Sequence, residues 1–329
     1  MKIGVWMPHK EVLSVSIYKK NICQYLQEQG HILVYISPDF SSLPELDILW
    51  DATCTGGKSP SYKLLCKDIP IVVTLHGAAN YILPKALQIH QAGLRKSWLL
   101  YKQKLLWKFY AKKVRAVITV SEYAKSEILQ IFPISASKVL PIYHGYDPNL
   151  FFYDNNIRKN IWLHVSAYQP KKNVDRIIEA YAKIEDSKKP KLVIVSKGYT
   201  LKNPLPQGIT LYAEGRDASQ LATLYKQAAT FIFPSIHETF GLPLIEAMAS
   251  GCAIITSNTS SCIEIVGDAG ICVEPYDTDT ISLAMTRLLN QEEVDAFRRK
   301  SLARAKDFSW QKCAEEHEQL MRSVVKNTS

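Results

Sequence analysis

Between Asp68 and Glu122 the sequence has no acidic residue, yet the same interval carries nine basic ones: Lys85, Arg95, Lys96, Lys102, Lys104, Lys108, Lys112, Lys113 and Arg115. Other absences exclude whole classes of protein. The seven cysteines, at positions 23, 54, 66, 252, 262, 272 and 313, form no C-x-x-C pair. Scattered and odd in number, they read as reduced thiols, not as a disulfide frame or a zinc site. No apolar run reaches the roughly 18 residues of a spanning helix. KIGVWMP at the N-terminus is broken too early by Pro8 to read as a signal peptide. These absences predict a cytoplasmic protein, with peripheral attachment to the inner face of the plasma membrane left open. At 329 residues, 47% hydrophobic and 22% charged, the chain suits two globular domains. Its 40 basic and 31 acidic side chains leave a formal charge of +9, which bears on partners and not on fold.

What is present reads as alternating β and α units. KIGVWMP and HILVYIS flank a helical stretch from Tyr18 to Gln29, and DILW, IPIVVTLHG, RAVITVS and KVLPIYHG supply four further strands. Residues 148–160 are polar and turn-rich, a linker. IWLHVSA then restarts the pattern, followed by strands in KLVIVSKG, ITLYAEG, ATFIFPS, CAIITS and AGICVEP, with helices over 218–228 and 279–290 and at 311–325. Repeated βαβ units predict parallel sheets and an α/β fold.

The most informative stretch is FIFPSIHETFGLPLIEAMASGCAIIT, from Phe231. A strand, a turn and a helix follow one another, and Phe240, Gly241 and Leu242 fall where the first helical N–H groups lack internal partners. Such a turn attracts anions, and glycine lets a ligand approach the backbone. Glu238 and Glu246 bracket it. Hydrolytic carboxyl pairs stand about 5 Å apart in retaining glycosidases and about 6.5–9.5 Å in inverting ones, whereas eight helical steps span roughly 12 Å. The spacing suits two contacts to a long polyhydroxylated ligand, or a capped helix with two solvated acids.

ETFGLPLIEAMASG closely resembles the E-x7-E signature of retaining glycosyltransferases with the GT-B fold, in particular glycosyltransferase family 4 of the bacterial polysaccharide-assembly type. The likeness runs through PSIHETFGLP, SSCIEIVGDAG and VEPYD to FSW at Phe308–Trp310, covering most of 160–310 closely and the first 150 residues more distantly. It implies two Rossmann-like domains with parallel sheets facing across a cleft: an acceptor-binding domain over 1–153, a nucleotide-sugar domain over 154–309, and a helix over 310–329 crossing back to the first. It implies a hexosyltransferase acting with retention and without a metal or cofactor. The donor would be UDP-glucose first, with UDP-galactose, N-acetylhexosamine donors and GDP-mannose open, and the acceptor a saccharide or lipid-linked saccharide in exopolysaccharide or lipopolysaccharide synthesis. By the same resemblance Lys172 faces the donor diphosphate, Glu238 the sugar hydroxyls and Glu246 the ribose. Thr239, Phe240, Gly241 and Leu242 line the donor, and His76 contacts its sugar or shapes the pocket, while His144 reads as a loop residue of the cleft.

The chain departs from the family in two places. Leu13-Ser14-Val15-Ser16 stands where relatives carry a glycine pair, and Ala167 where they carry an arginine facing the diphosphate. Lys197 and Arg216 are candidate substitutes for that arginine or plain surface charge. These losses support an alternative reading, a non-catalytic nucleotide-sugar-binding scaffold. A phosphorylase or sucrose-synthase-like activity fits less well, because nothing resembles a pyridoxal phosphate site. Asp277-Thr278-Asp279 mimics a metal-binding D-x-D but stands where aspartate caps a helix. The basic segment 85–115, interleaved with Trp98, Leu105, Trp107 and Phe109, reads either as an interfacial helix on anionic lipid or as a core-facing helix with a solvated basic face. No nucleic-acid motif accompanies the charge.

Overall fold

Short runs rich in Ile, Val and Leu form twelve strands among the described residues of the computed structural model of the protein. The model describes all residues except 66, 88–93, 156–157, 186–188, 202 and 328–329. Cys66 and the side chains of Lys85, Arg95 and Lys96 lie outside the described residues. The chain divides into two units, one of Met1–Leu83, Ala92–Gly145 and Ser309–Ser329, the other of Pro84–Gln91 and Tyr146–Phe308.

The first unit is built on β1 (Lys2–Trp6), β2 (Ile32–Ile36), β3 (Ile48–Cys54), β4 (Ile71–Leu75), β5 (Val114–Thr119) and β6 (Val139–Pro141), all parallel in the order β2-β1-β3-β4-β5-β6. Strand side chains alternate faces, so this sheet feeds two cores. Ile3, Val5, Trp50 and Val72 meet Tyr18 and Ile22 of the Leu13–Glu28 helix and Met321 of the C-terminal helix Trp310–Lys326. Leu49, Val73 and Leu75 meet Trp107 and Phe132 on the other side. Trp50 and Trp107 are wholly buried. Roughly 200 Å² removed from water at about 25 cal/mol per Å² gives each about 5 kcal/mol of gross hydrophobic stabilisation.

The second unit holds β7 (Ile161–Ala167), β8 (Lys191–Lys197), β9 (Ile209–Tyr212), β10 (Ala228–Phe233), β11 (Ala253–Ser257) and β12 (Gly270–Val273), in the order β12-β11-β10-β7-β8-β9. All neighbours are parallel. Its core gathers Trp162, Ile177, Leu192, Ile232 and Met285. Connections run outward in both directions from the β7–β10 pair. The carboxyl ends of those two strands therefore flank the crevice where open α/β sheets bind ligands. Both sheets, with their covering helices, have the α/β GT-B architecture.

Three local expectations need correction. The first helix begins at Leu13, not Tyr18, so Leu13–Ser16 form its first turn and no loop. Its N-cap, Val12, carries no capping side chain, which removed the usual start signal. Residues 148–160 are not a free linker: Phe151 is buried edge-on against Tyr225, and Arg158 donates to the carbonyls of Ser250 and Gly251. The Gln291–Ala305 helix, absent from the sequence reading, has a polar surface and only a sparse apolar pattern.

Candidate active site

In the second unit, β7 runs out at Ala167 into a turn that delivers Lys172, and β10 runs out through Pro234 to Glu238. The Lys172 Nζ donates to Glu238 Oε1 at 2.6 Å, with both side chains almost wholly shielded from water. Burial alone would raise the Glu238 pKa. The charges of Lys172 and Lys171, and the Lys172 hydrogen bond, outweigh it and hold the carboxyl at about 2. The ammonium also lies 5.1 Å from the Phe233 ring centroid, a cation–π contact.

Three side chains absent from the sequence reading fix this turn. Asn173, at φ 65°, donates through Nδ2 to the carbonyls of Pro234 and Pro275 at 3.0 and 2.6 Å, pinning the lysine turn to the ends of two strands. Ser260 Oγ accepts from the Glu238 N–H at 3.2 Å. Ser261 Oγ lies 3.0 and 3.1 Å from the carbonyls of Glu238 and Phe240, which accept from it. Beneath them, neutral His164 bridges the Ile232 carbonyl and Ser166, with burial pulling its pKa down to about 4.

The eight-residue helix Leu242–Ala249 starts at Gly241, whose φ of 100° suits glycine alone. Pro243 has no N–H and Leu244 donates to the Gly241 carbonyl, leaving the Gly241 and Leu242 amides as this turn's donors. Phe240 is buried and packs edge-on against Phe308, which ties the FSW stretch to the loop, while Thr239 stays half-buried beside it. Glu246 sits one turn into the helix with its carboxyl near the Tyr225 hydroxyl. Burial raises its pKa to about 7, opposed only by the nearby Tyr225 hydroxyl.

The candidate substitutes for the missing arginine are placed differently. Ala167 is exposed at the end of β7, and Lys197 is exposed at the end of the neighbouring β8. Arg216 pairs with Glu214 and stacks on the Tyr212 ring at 3.5 Å. Asp277 accepts from the N–H groups of Asp279 and Thr280, capping the Thr278–Arg287 helix.

His76 belongs to the first unit. It follows β4, and its Nε2 is 2.8 Å from the Ala52 carbonyl, with burial lowering its pKa to about 4. Its ring lies 5.1 Å from Tyr18 and 6.0 Å from His144. His144 sits in the loop after β6 and is buried there against Tyr18 and Trp310.

Two family profiles match the chain: glycosyl transferases group 1 over residues 149–306, and glycosyltransferase family 4 over 58–150. Among curated relatives, the O-antigen chain mannosyltransferase B of Escherichia coli is 28% identical over 60% of this chain and 58% of its own. The MMP alpha-(1->4)-mannosyltransferase of Mycolicibacterium hassiacum is 28% identical over 82% of this chain and 69% of its own. The chain thus spans 58% of the length of the first of these relatives. Among solved structures, sucrose-phosphate synthase from Thermosynechococcus elongatus superposes with a TM-score of 0.78 at 16% identity, covering 99% of this chain and 100% of the other. That likeness concerns fold alone.

Proposed function

The chain belongs to the glycosyl transferases group 1, within glycosyltransferase family 4, and from that premise we propose that it is a hexosyltransferase moving a sugar from a nucleotide diphosphate to a saccharide or lipid-linked saccharide. The observation that carries the reading is the shielded Lys172–Glu238 pair at the switch point of the second sheet, beside the helix that starts at Gly241. Without donor, each charge neutralises the other. With donor, Lys172 turns to the diphosphate together with the Gly241 and Leu242 amides, and the freed carboxylate of Glu238 accepts from sugar hydroxyls. Glu246 takes the ribose. The bond from the anomeric carbon to the phosphate oxygen breaks, the acceptor oxygen bonds on the same face, and the leaving phosphate takes the acceptor proton. Retention follows, with no protein nucleophile and no metal required. Stabilising the departing diphosphate is the main task of the protein.

The curated relatives described above are named as mannosyltransferases, which favours mannose over glucose as the hexose. The test is binding and turnover across UDP- and GDP-sugars, with Lys172→Ala lowering turnover by roughly 10²–10³-fold. Because Lys172→Ala strands a buried carboxylate, a Lys172→Ala/Glu238→Gln double variant that folds but does not turn over separates chemistry from stability. A donor bound equally by both variants and wild type would sink the proposal.

The Leu94–Lys113 helix favours a second contact, with anionic lipid. Among the described side chains Trp107 turns to the core, whereas Trp98, Leu105 and Phe109 share an outward stripe flanked by Lys102, Lys108 and Lys112. No helix of the described residues is long and apolar enough to cross a membrane. Cosedimentation with phosphatidylglycerol vesicles is expected, falling at least tenfold in Trp98→Ser/Phe109→Ser. Equal sedimentation of that variant would refute the contact.

A further inference from the structure

The first unit has its own ligand-sized cavity, of about 440 Å³, and nothing above assigns it. It opens at the carboxyl ends of β1 and β3, where the strand order β2-β1-β3 reverses direction. That is the switch point of this sheet, the position where such folds bind ligands. The lining is mixed: Lys10, Asp51, Thr53, Lys58, Ser59 and Ser61 face it together with apolar Trp6, Val12 and Val15.

The charges are unequally engaged. Glu11 is held by Lys19 at 2.6 Å, and buried Asp51 accepts from the N–H and hydroxyl of Thr53 at 2.9 and 2.7 Å. Among the described residues neither Lys10 nor Lys58 is ion-paired. The Leu13–Glu28 helix presents its N-terminus to the same space through Val12 and Val15, with no capping side chain and no acid in its first turn. Uncapped amides, the positive end of the helix dipole and two lysines sum to a site for a negative group.

The wall carrying Lys58 is fixed before any ligand arrives. Gly56 and Gly57 have φ of 59° and 82°, and a Cβ on either would come within 2.4 Å of Asn80 or Tyr81. Trp107 Nε1 donates to the Gly57 carbonyl at 3.2 Å, and the Ser59 N–H to Gln103 at 2.8 Å. A preset loop of this kind lowers the ordering cost of binding.

We propose that this cavity binds a sugar carrying a phosphate or carboxylate, its anion held by Lys58, Lys10 and the helix N-terminus and its hydroxyls by Asp51, Ser59 and Ser61. Resting on the transferase reading, the ligand is the acceptor, and the acceptor class is an anionic saccharide.

The test is calorimetric titration of the full chain with methyl α-mannoside, mannose 6-phosphate, glucuronate, inorganic phosphate, and GDP or UDP. Mannose 6-phosphate or glucuronate is expected to bind at least tenfold tighter than the neutral glycoside. Lys58→Ala is expected to remove that margin and Lys58→Arg to keep most of it, because a charge-assisted contact is lost in one and preserved in the other. Nucleoside diphosphate binding should be unchanged by Lys58→Ala and weakened by Lys172→Ala. Equal binding of the neutral glycoside, indifference of the anionic sugars to Lys58→Ala, or no binding of any probe overturns the assignment. Inorganic phosphate binding as tightly as mannose 6-phosphate overturns its saccharide part. Loss of nucleoside diphosphate affinity in Lys58→Ala reassigns the cavity to the donor. If Lys172→Ala leaves nucleoside diphosphates unaffected while Lys58-dependent sugar binding persists, the transferase reading fails and the cavity assignment stands.

Discussion

Glu238 and Glu246 stand eight positions apart, and their surroundings drive them in opposite directions. Burial raises both, but two lysine charges overrule it at Glu238 and only a tyrosine hydroxyl opposes it at Glu246. Near neutrality Glu238 is therefore a carboxylate, while Glu246, at about 7, is half protonated. The stability consequences differ in sign. Glu238 contributes stability that is present above its unfolded pKa near 4.5 and lost as pH falls towards 2. Glu246 contributes stability below 4.5 that is lost as pH rises through 7. If Glu246 accepts the ribose hydroxyls, donor affinity should rise across pH 6–8 as the second lone-pair set becomes available. Glu246→Gln, neutral throughout, should bind more weakly and with a flat pH profile. Titration of a nucleoside diphosphate sugar at several pH values decides this, and an unchanged slope in Glu246→Gln would place the ribose elsewhere.

At the scale of elements, the active loop between β10 and the Leu242–Ala249 helix is held by the start of the next helix. Ser260 and Ser261 reach back across one strand and one helix to the backbone of Glu238 and Phe240. Ser261→Ala removes the hydroxyl bond to both carbonyls, at a cost of about 1–3 kcal/mol, keeps the Ser261 N–H bond to the Glu238 carbonyl at 3.3 Å, and loosens Glu238. It should lower kcat by more than tenfold with a smaller change in donor affinity, whereas Ser261→Thr should retain most activity. Ser260 sits at φ 58°, a strained value for a side-chain-bearing residue. Ser260→Gly relieves that strain as it loses one hydrogen bond, so its thermal midpoint should stay within a few degrees of wild type. These contacts also show where sequence reading stops. Glu238 and the turn at Gly241 are legible because charge and glycine stand out at fixed spacing, Lys172 only through the family resemblance, and eleven of the strands read as apolar runs, with DILW marking the start of the twelfth, β3. Ser-Ser before an apolar helix reads only as a cap, since its partners are set by tertiary packing 21–23 positions away. The helix start at Leu13 was hidden for the converse reason, having no cap to read.

For the molecule as a whole, the first unit is closed by its own far end. Tyr18, on the first helix, shares its hydroxyl with Thr74 of β4 and with His317 of the C-terminal helix, and its ring packs against His76, His144 and Trp310. The three histidines are neutral: burial pulls His76 and His317 down to about 4, and His144 well below its usual value. The neighbouring histidines lower His144 and His317 further. The unfolded chain takes up protons below about pH 6.5, but the folded unit does not until about pH 4. Stability is therefore intact above pH 6.5 and falls as pH drops from 6.5 towards 4, by up to about 3 kcal/mol each for His76 and His317. Charging these rings would desolvate a cation inside the aromatic cluster and so weaken the docking of residues 310–326. Urea midpoints measured at pH 7.5, 6.0 and 5.0 should decline steeply. His144→Phe removes one titrating group and keeps a ring, so the same series should decline less steeply at little cost at pH 7.5. Parallel declines in the two proteins would show that His144 takes no part, and that the acid limit of this unit lies outside the aromatic cluster.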